Sequence, residues 1–229
     1  MFTITEILLV SLLGVDLALA ASSRLFHCIR LVALQGILLG ILPVFFHVGG
    51  GEGMIPPLSI IVAVVVSIGV KGILLPLFLV RAMRKTQIKR ELEPYVGYSL
   101  SLFIIMLAGV FSFWFCRKLG IAPHICSQFA LPVAFTTMLT GLFLVISRKK
   151  AITQALGFLV FENGIGIFGA GMLVESGLLV ELGILLDVVV LVFVMGITLF
   201  QIQREFRHMD SDHLKLLGDW KTNEEGGAK

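Results

Sequence analysis

Charge is what this sequence has least of. Of its 229 residues only 14% are Asp, Glu, Lys or Arg while 57% are hydrophobic, and the mean hydropathy is +1.00; soluble domains run nearer about 25% charged. One globular core of this size has no room for so many apolar side chains, which sets aside a soluble enzyme, a nucleic-acid binder and a disordered chain. Cysteine is scarce as well. Cys28, Cys116 and Cys126 are odd in number and form no CxxC, and no His stands at metal-ligand spacing. Neither a metal site nor a disulfide framework is expected, and no cofactor. Cys116 and Cys126 flank one short loop and can pair if it is extracytoplasmic, but packed free thiols are the plainer reading. The five His (His27, His47, His124, His208, His213) are scattered, and no set of Ser, His, Cys or metal ligands completes a catalytic constellation. The chain reads as a non-catalytic membrane protein. Its first residues, MFTITEILLV, carry no Lys or Arg before the apolar run, which predicts a span rather than a cleaved signal peptide.

What is present is a series of apolar runs. A helix crosses the hydrocarbon layer with about 20 apolar residues, and seven such stretches emerge, over 2–22, 28–47, 58–80, 96–116, 128–147, 151–173 and 177–203. The expected fold is therefore an all-α integral membrane protein with about seven transmembrane helices. The Lys and Arg residues orient it. Fifteen lie on one face, in the segments around Arg24 and Arg30, Arg81 to Arg90, Arg148 to Lys150 and the tail from Arg204, whereas the opposite face has Arg117 and Lys118 and only Lys71 is inside. By the positive-inside rule the N-terminus is outside and the C-terminus cytoplasmic. The tail, 204–229, can form a short helix capped by Asp210 or Ser211 and ended by Gly218, docked on a partner or lying at the interface; the plainer reading is a frayed, solvated tail.

Each ionisable group kept inside a membrane asks for a partner or a job. Lys71 sits near the centre of the third span in SIGVKGILLP, Glu162 at the centre of the sixth in GFLVFENGIG, Asp187 near the middle of the seventh, and Asp16 in the inner half of the first. Glu6 and Glu181 lie nearer the outer boundary, and Gln35 adds a neutral group able to hydrogen-bond between helices. For Asp16 a structural pair is expected, Lys71 with Asp16 cancelling two charges, with a carboxylate of a neighbouring subunit as the alternative partner for Lys71. For Glu162 a role in proton transfer is expected, because a mid-depth acid with no cation on its own helix is disposed to hold a proton near neutral pH. Glu162, Asp187 and Lys71 at similar depth on different helices form a candidate lateral relay for protons or sodium ions. Gly157, Gly164, Gly166, Gly169 and Gly171 crowd around Glu162. Close helix packing is the bland account; the sharper one is a backbone irregularity or water access at Asn163 and Gly164.

The polar pattern also repeats. RLVALQGILLGILPV followed by VSIGVKGILLPLFLVRAMRK reads like QALGFLVFENGIGIFGAG followed by LGILLDVVVLVFVMGITLFQIQRE, a parallel three-plus-one-plus-three arrangement in which Gln35 and Lys71 correspond to Glu162 and Asp187. The implied divisions are an N-terminal three-span half over 1–95, a connecting span and outer loop over 96–127, a second three-span half over 128–203 and the tail over 204–229.

The segment RKKAITQALGFLVFENGIGIFGAGML, with its basic turn, glycine-rich helix and Glu-Asn pair, resembles the K-type small membrane subunit of respiratory complex I and the C subunit of multisubunit cation/proton antiporters, over about residues 128 to 204. Across the whole chain, RLFHCIRLVALQG, the lysine in VKGILLP and the terminal HLKLLGDW resemble the membrane component E of the hydrogenase-4 type, found in formate hydrogenlyase and energy-converting hydrogenase complexes. The resemblance implies a subunit of the cell inner membrane without a redox centre, placed among larger antiporter-like membrane subunits. It implies mid-membrane carboxylates at Glu162 and Asp187 on an ion path. The second position holds Asp rather than Glu at a shorter spacing, so Glu181 is a substitute for it. An antiporter subunit and a non-conducting structural scaffold are the competing functions.

Overall fold

The computed structural model describes residues 4–49, 58–85, 96–119, 128–148, 151–172 and 196. Among these the chain is helical almost throughout: α1 (Ile4–Ala21), α2 (Leu25–Gly49), α3 (Leu58–Ser67), a π-helical segment (Ile68–Leu74) running directly into α4 (Leu75–Lys85), α5 (Tyr98–Leu119), α6 (Ala130–Ser147) and α7 (Ala151–Met172). Helix is the form that a span must take, because it satisfies every backbone N–H and C=O within the segment. Six helices among the described residues are long and apolar enough to cross a membrane, the third being the composite of α3, the π segment and α4. Of the seventh expected span only Gly196 is described; Glu181, Asp187 and the tail helix lie outside the described residues.

The outward surface fits a lipid surround. Leu100, Phe103, Met106, Leu107, Val110, Phe111 and Trp114 form an exposed apolar face on α5, and Ile61, Val62, Val65, Ile73 and Leu77 another along α3 to α4. Apolar area of this extent in water would drive association. Aromatic rings hold cations at both ends of the bundle, Arg30 over Phe26 at 4.4 Å and Lys118 over Trp114 at 4.7 Å.

Glycine sets which helices meet. α6 and α7 make the most extensive contact among the described elements, and a Cβ at Gly141 would run into the Phe161 backbone, one at Gly157 would stand 2.7 Å from the Val145 nitrogen, and one at Gly164 2.6 Å from the Met138 nitrogen. Small residues take the place that hydrophobic burial has in water, by letting backbones touch. The same device joins α2 to the π segment: Gly36 and Gly40, one helical turn apart, face Lys71 and Ile68, and a Cβ at either would stand 2.7 and 2.6 Å from their side chains.

Two apolar clusters result. One contains Val15, Leu19, Ile29, Val32, Leu75, Leu79, Leu144, Ile152, Leu156 and Leu159; it lies at the end of the bundle where Arg24, Arg30, Arg81 and Arg148 occur. The other contains Leu9, Leu12, Leu39, Leu42, Phe46, Ala130, Val133, Ala134 and Ile167, toward the opposite end. On α2, α6 and α7 a buried polar residue falls between the stretches that feed the two clusters, Gln35, Thr137, and Glu162 with Asn163, and on α1 Asp16 directly follows Val15, where the arginine-end stretch begins. Cys28 and Cys116 are free thiols, as packed cysteines would be.

Candidate functional site

The polar layer is assembled by four helices and the π segment. Asp16 on α1 is wholly buried and accepts two hydrogen bonds, from Gln35 Nε2 on α2 at 2.9 Å and from Thr137 Oγ1 on α6 at 2.7 Å. Gln35 Oε1 in turn accepts from Asn163 Nδ2 on α7 at 3.3 Å. Beside Asn163, the Glu162 carboxylate is paired with Lys71, Oε1 to Nζ at 2.7 Å, with exposures of 2% and 6%. Burial this complete matters because it removes the water that would otherwise screen the pair.

This geometry corrects one expectation. Lys71 does not pair with Asp16 in this structure; its partner is Glu162, within the same chain. α1 packs on α2, α5 and α6, whereas the π segment packs on α2, α3 and α4, so α2 stands between Asp16 and Lys71. Gly36 then lets the Lys71 stem lie against α2 and reach α7. Asp16 is left to neutral donors. The carboxylate oxygens face an amide N–H and a hydroxyl, and this fixes the orientation of the Gln35 amide: turned over, its oxygen would face Asp16 Oδ1.

The backbone around Lys71 is irregular for a reason that can be read locally. Pro76 has no N–H, so the Gly72 carbonyl cannot receive its ordinary helical bond four residues on. The chain widens into π geometry over Ile68–Leu74, and the Leu75 N–H bonds to the Val70 oxygen, five residues back. A wide turn of this kind re-aims the side chains that it carries, and such turns concentrate at functional sites. Of the two accounts of the glycines around Glu162, close helix packing is the one seen, at Gly157 and Gly164; α7 is helical from Ala151 to Met172, and the π turn sits opposite, at the lysine.

A pocket of about 10 Å³, the room of a single water, adjoins the pair. Lys71, Glu162 and Asn163 supply its polar lining, and Ile29, Val32, Leu75, Pro76, Leu79 and Leu159 the remainder. No group of three or more His, Cys, Asp or Glu residues able to hold a metal occurs among the described residues.

Thr137 is the one member of the layer that sequence reasoning missed. It is one of three threonines within five residues of α6, and the other two explain the oversight: Thr136 and Thr140 bond back to the Pro132 and Thr136 carbonyls of their own helix at 2.7 and 2.8 Å. This is the ordinary fate of a helical threonine. Only Thr137 turns to another helix. Arg148, just beyond α6, is a second surprise. It is 2% exposed, its guanidinium lies 5.4 Å from the Tyr98 ring centre, and burial pulls its pKa below the usual arginine value.

No family profile and no solved structure matches the chain. It is similar to an uncharacterized protein, Rv0085, of Mycobacterium tuberculosis (strain ATCC 25618 / H37Rv), with 30% identity over 193 residues, covering 83% of this chain and 85% of that protein.

Proposed function

This chain belongs to the family of the mycobacterial protein Rv0085, and we propose that it is a non-catalytic subunit of an energy-converting, membrane-bound hydrogenase complex of the hydrogenase-4 or formate hydrogenlyase type. In this reading it contributes buried charges to a path for protons or sodium ions driven by electron transfer elsewhere in the complex. It resides in the cell inner membrane among larger antiporter-like subunits, with the basic end and the C-terminus cytoplasmic.

The observation that carries the reading is the Lys71–Glu162 pair, held at 2.7 Å inside the bundle. An ammonium and a carboxylate at this distance can exchange a proton between Nζ and Oε1, and the exchange annihilates both charges. In a low-dielectric interior such a pair therefore responds to any charge that arrives nearby. A neighbouring subunit that moves an ion can shift the proton, and the shifted proton can pass on. Asp16, Gln35, Thr137 and Asn163 hold the layer in register; the amides among them keep their protons and position rather than conduct. Asp187 and Glu181, the candidates for a second relay carboxylate, lie outside the described residues.

The scaffold reading draws on the same pairing, since an ion pair that never dissociates merely joins α7 to the π segment. The antiporter reading shares the carboxylate but not the redox partner. Isolating the chain with its neighbours in mild detergent separates the three. Copurification with nickel-iron and iron-sulfur hydrogenase subunits is the expected result. Antiporter subunits without redox proteins would favour the second reading, and recovery of this chain alone would overturn the assignment to a complex.

A further inference from the structure

Glu162 and Lys71 sit between two ends of the bundle that are closed to different degrees. Toward the end away from the arginines, α7 is pressed on its neighbours at successive turns. A Cβ at Gly164 would stand 2.6 Å from the Met138 nitrogen, one at Gly166 2.9 Å from Leu39 Cδ2, and one at Gly171 2.9 Å from the Ala130 Cβ. The π segment is equally close to α2 there, at Gly40 against Ile68. At Gly164 the contact is with backbone, and at Gly40, Gly166 and Gly171 a neighbouring side chain lies directly on the bare helix, which leaves no file for water. Toward the arginine end α6 and α7 stay as close, a Cβ at Gly157 standing 2.7 Å from the Val145 nitrogen, but on the face that α7 shares with α2 and α4 the pocket opens.

We infer that the Lys71–Glu162 pair exchanges protons with the arginine-bearing end of the bundle alone, through an apolar gate formed by Leu159, Leu79, Leu75, Ile29 and Val32. The inference rests on the proposed role of Glu162 and adds the direction from which it is served. The chain order fixes that direction. Leu159 lies one turn before Glu162 on a helix that begins beside Arg148, Leu75 and Leu79 lie between Lys71 and Arg81, and Ile29 and Val32 precede Gln35 on a helix that begins at Leu25. All five stand between the pair and the same end. An apolar constriction with a polar terminus conducts by intermittent wetting, and three polar groups, Lys71, Glu162 and Asn163, are present to hold the first water. Among the described residues, the charged and titratable groups near the pair include Asp16 behind Gln35 and Asn163, Cys28 in the apolar cluster, and Arg148 buried at the arginine end. None of them lines the pocket.

The test reads water access and needs no knowledge of the complex. In the full chain, with Cys28, Cys116 and Cys126 replaced by Ala, single cysteines are placed by Leu159→Cys and Leu79→Cys on one side of the pair and by Leu42→Cys and Ile167→Cys on the other. Arg81→Cys and Lys118→Cys mark the two ends. Silver ion, which reaches a thiol only through water, is added to sealed vesicles of each orientation, and the remaining thiol is counted after denaturation. The expected result is that Leu159→Cys and Leu79→Cys react from the Arg81 face, roughly tenfold faster than Leu42→Cys and Ile167→Cys from either face. Adding Leu75→Phe to the Leu159→Cys chain fills the pocket and slows its reaction, with an unchanged unfolding temperature as the check on folding. Reaction at Ile167→Cys or Leu42→Cys from the Lys118 face at the rate of Leu159→Cys overturns the inference, and so does the absence of any Arg81-side reaction at both Leu159→Cys and Leu79→Cys. One-sided access in a complex that moves no ions would instead defeat the proposed function and leave the access route standing.

Discussion

The two apolar clusters on either side of the polar layer are built from the same kinds of residue and yet differ in how they close. The cluster at the arginine end is made of large branched side chains, Leu19, Ile29, Val32, Leu75, Leu79 and Leu159 among them, packed side chain against side chain. At the other end the glycines of α2 and α7 let side chains sit directly on the helix, Ile68 on Gly40, Leu39 on Gly166 and Ala130 on Gly171. Side chains that meet around a pocket can rotate and let a water through, whereas a side chain seated on a glycine has no room to turn aside unless a helix moves. The difference teaches that a buried charge pair can be given one permeable side and one sealed side without any change in hydrophobicity.

The comparison can be broken most severely at the sealed side. Gly164→Leu puts a branched side chain where even a Cβ stands 2.6 Å from backbone, and overpacking of this kind costs about 3 kcal/mol or more; loss of the folded chain from detergent extracts is the expected readout. Gly169→Ala is the control, because nothing among the described residues lies within 4 Å of its added Cβ, and it should unfold no earlier than the parent. Next in size is the ion pair. Lys71→Met leaves Glu162 buried without its ammonium and should destabilise the chain by about 3 to 5 kcal/mol. Lys71→Met combined with Glu162→Gln should recover most of that loss, and thermal unfolding of the four members of the cycle measures it. A double variant no more stable than Lys71→Met alone would mean that the two side chains do not act as a pair.

A smaller effect is expected at Asp16. Asp16→Leu removes the acceptor of both the Gln35 amide and the Thr137 hydroxyl and should cost about 1 to 3 kcal/mol, the usual penalty for stranding buried donors. Adding Thr137→Val should cost little more, since that hydroxyl has already lost its acceptor, whereas adding Gln35→Leu should cost a further amount because it strands Asn163 Nδ2. The smallest concerns the arginine end, where Tyr98→Leu removes the ring beside Arg148. A loss of about 1 kcal/mol is expected, the size of a partly desolvated cation–π contact, and a shift in unfolding temperature reports it.

The helices and the buried polar positions were legible in the sequence because both follow from one rule: a run of about 20 apolar residues is a span, and a charge inside it is an exception that stands out. Lys71, Asp16, Gln35 and Glu162 were visible for that reason. Which of them meet was not, because neighbour choice is decided by where glycines allow backbones to approach, and Gly36 has no signature that separates it from Gly14, whose added Cβ would touch nothing within 4 Å. The pairing of Lys71 with Glu162 instead of Asp16 is the consequence. The π turn had one clue, Pro76 five residues after Lys71, but a proline in a span is compatible with a simple kink. Thr137 was hidden because a threonine in a membrane helix usually satisfies itself, as Thr136 and Thr140 do.

The central claim is that Glu162 exchanges a proton as part of ion movement and is more than a brace. Electron-transfer-driven proton or sodium uptake by vesicles carrying the assembled Glu162→Gln complex, normalised to complex content, tests it most directly. Glutamine keeps the shape and a hydrogen-bonding oxygen for Lys71 but cannot give up or take a proton at that site, so the account predicts normal assembly with uptake uncoupled from electron transfer, and partial uptake in Glu162→Asp. Uptake at the unmodified level in the Gln variant would contradict the account and leave the Lys71–Glu162 pair as a structural clasp between α7 and the π segment.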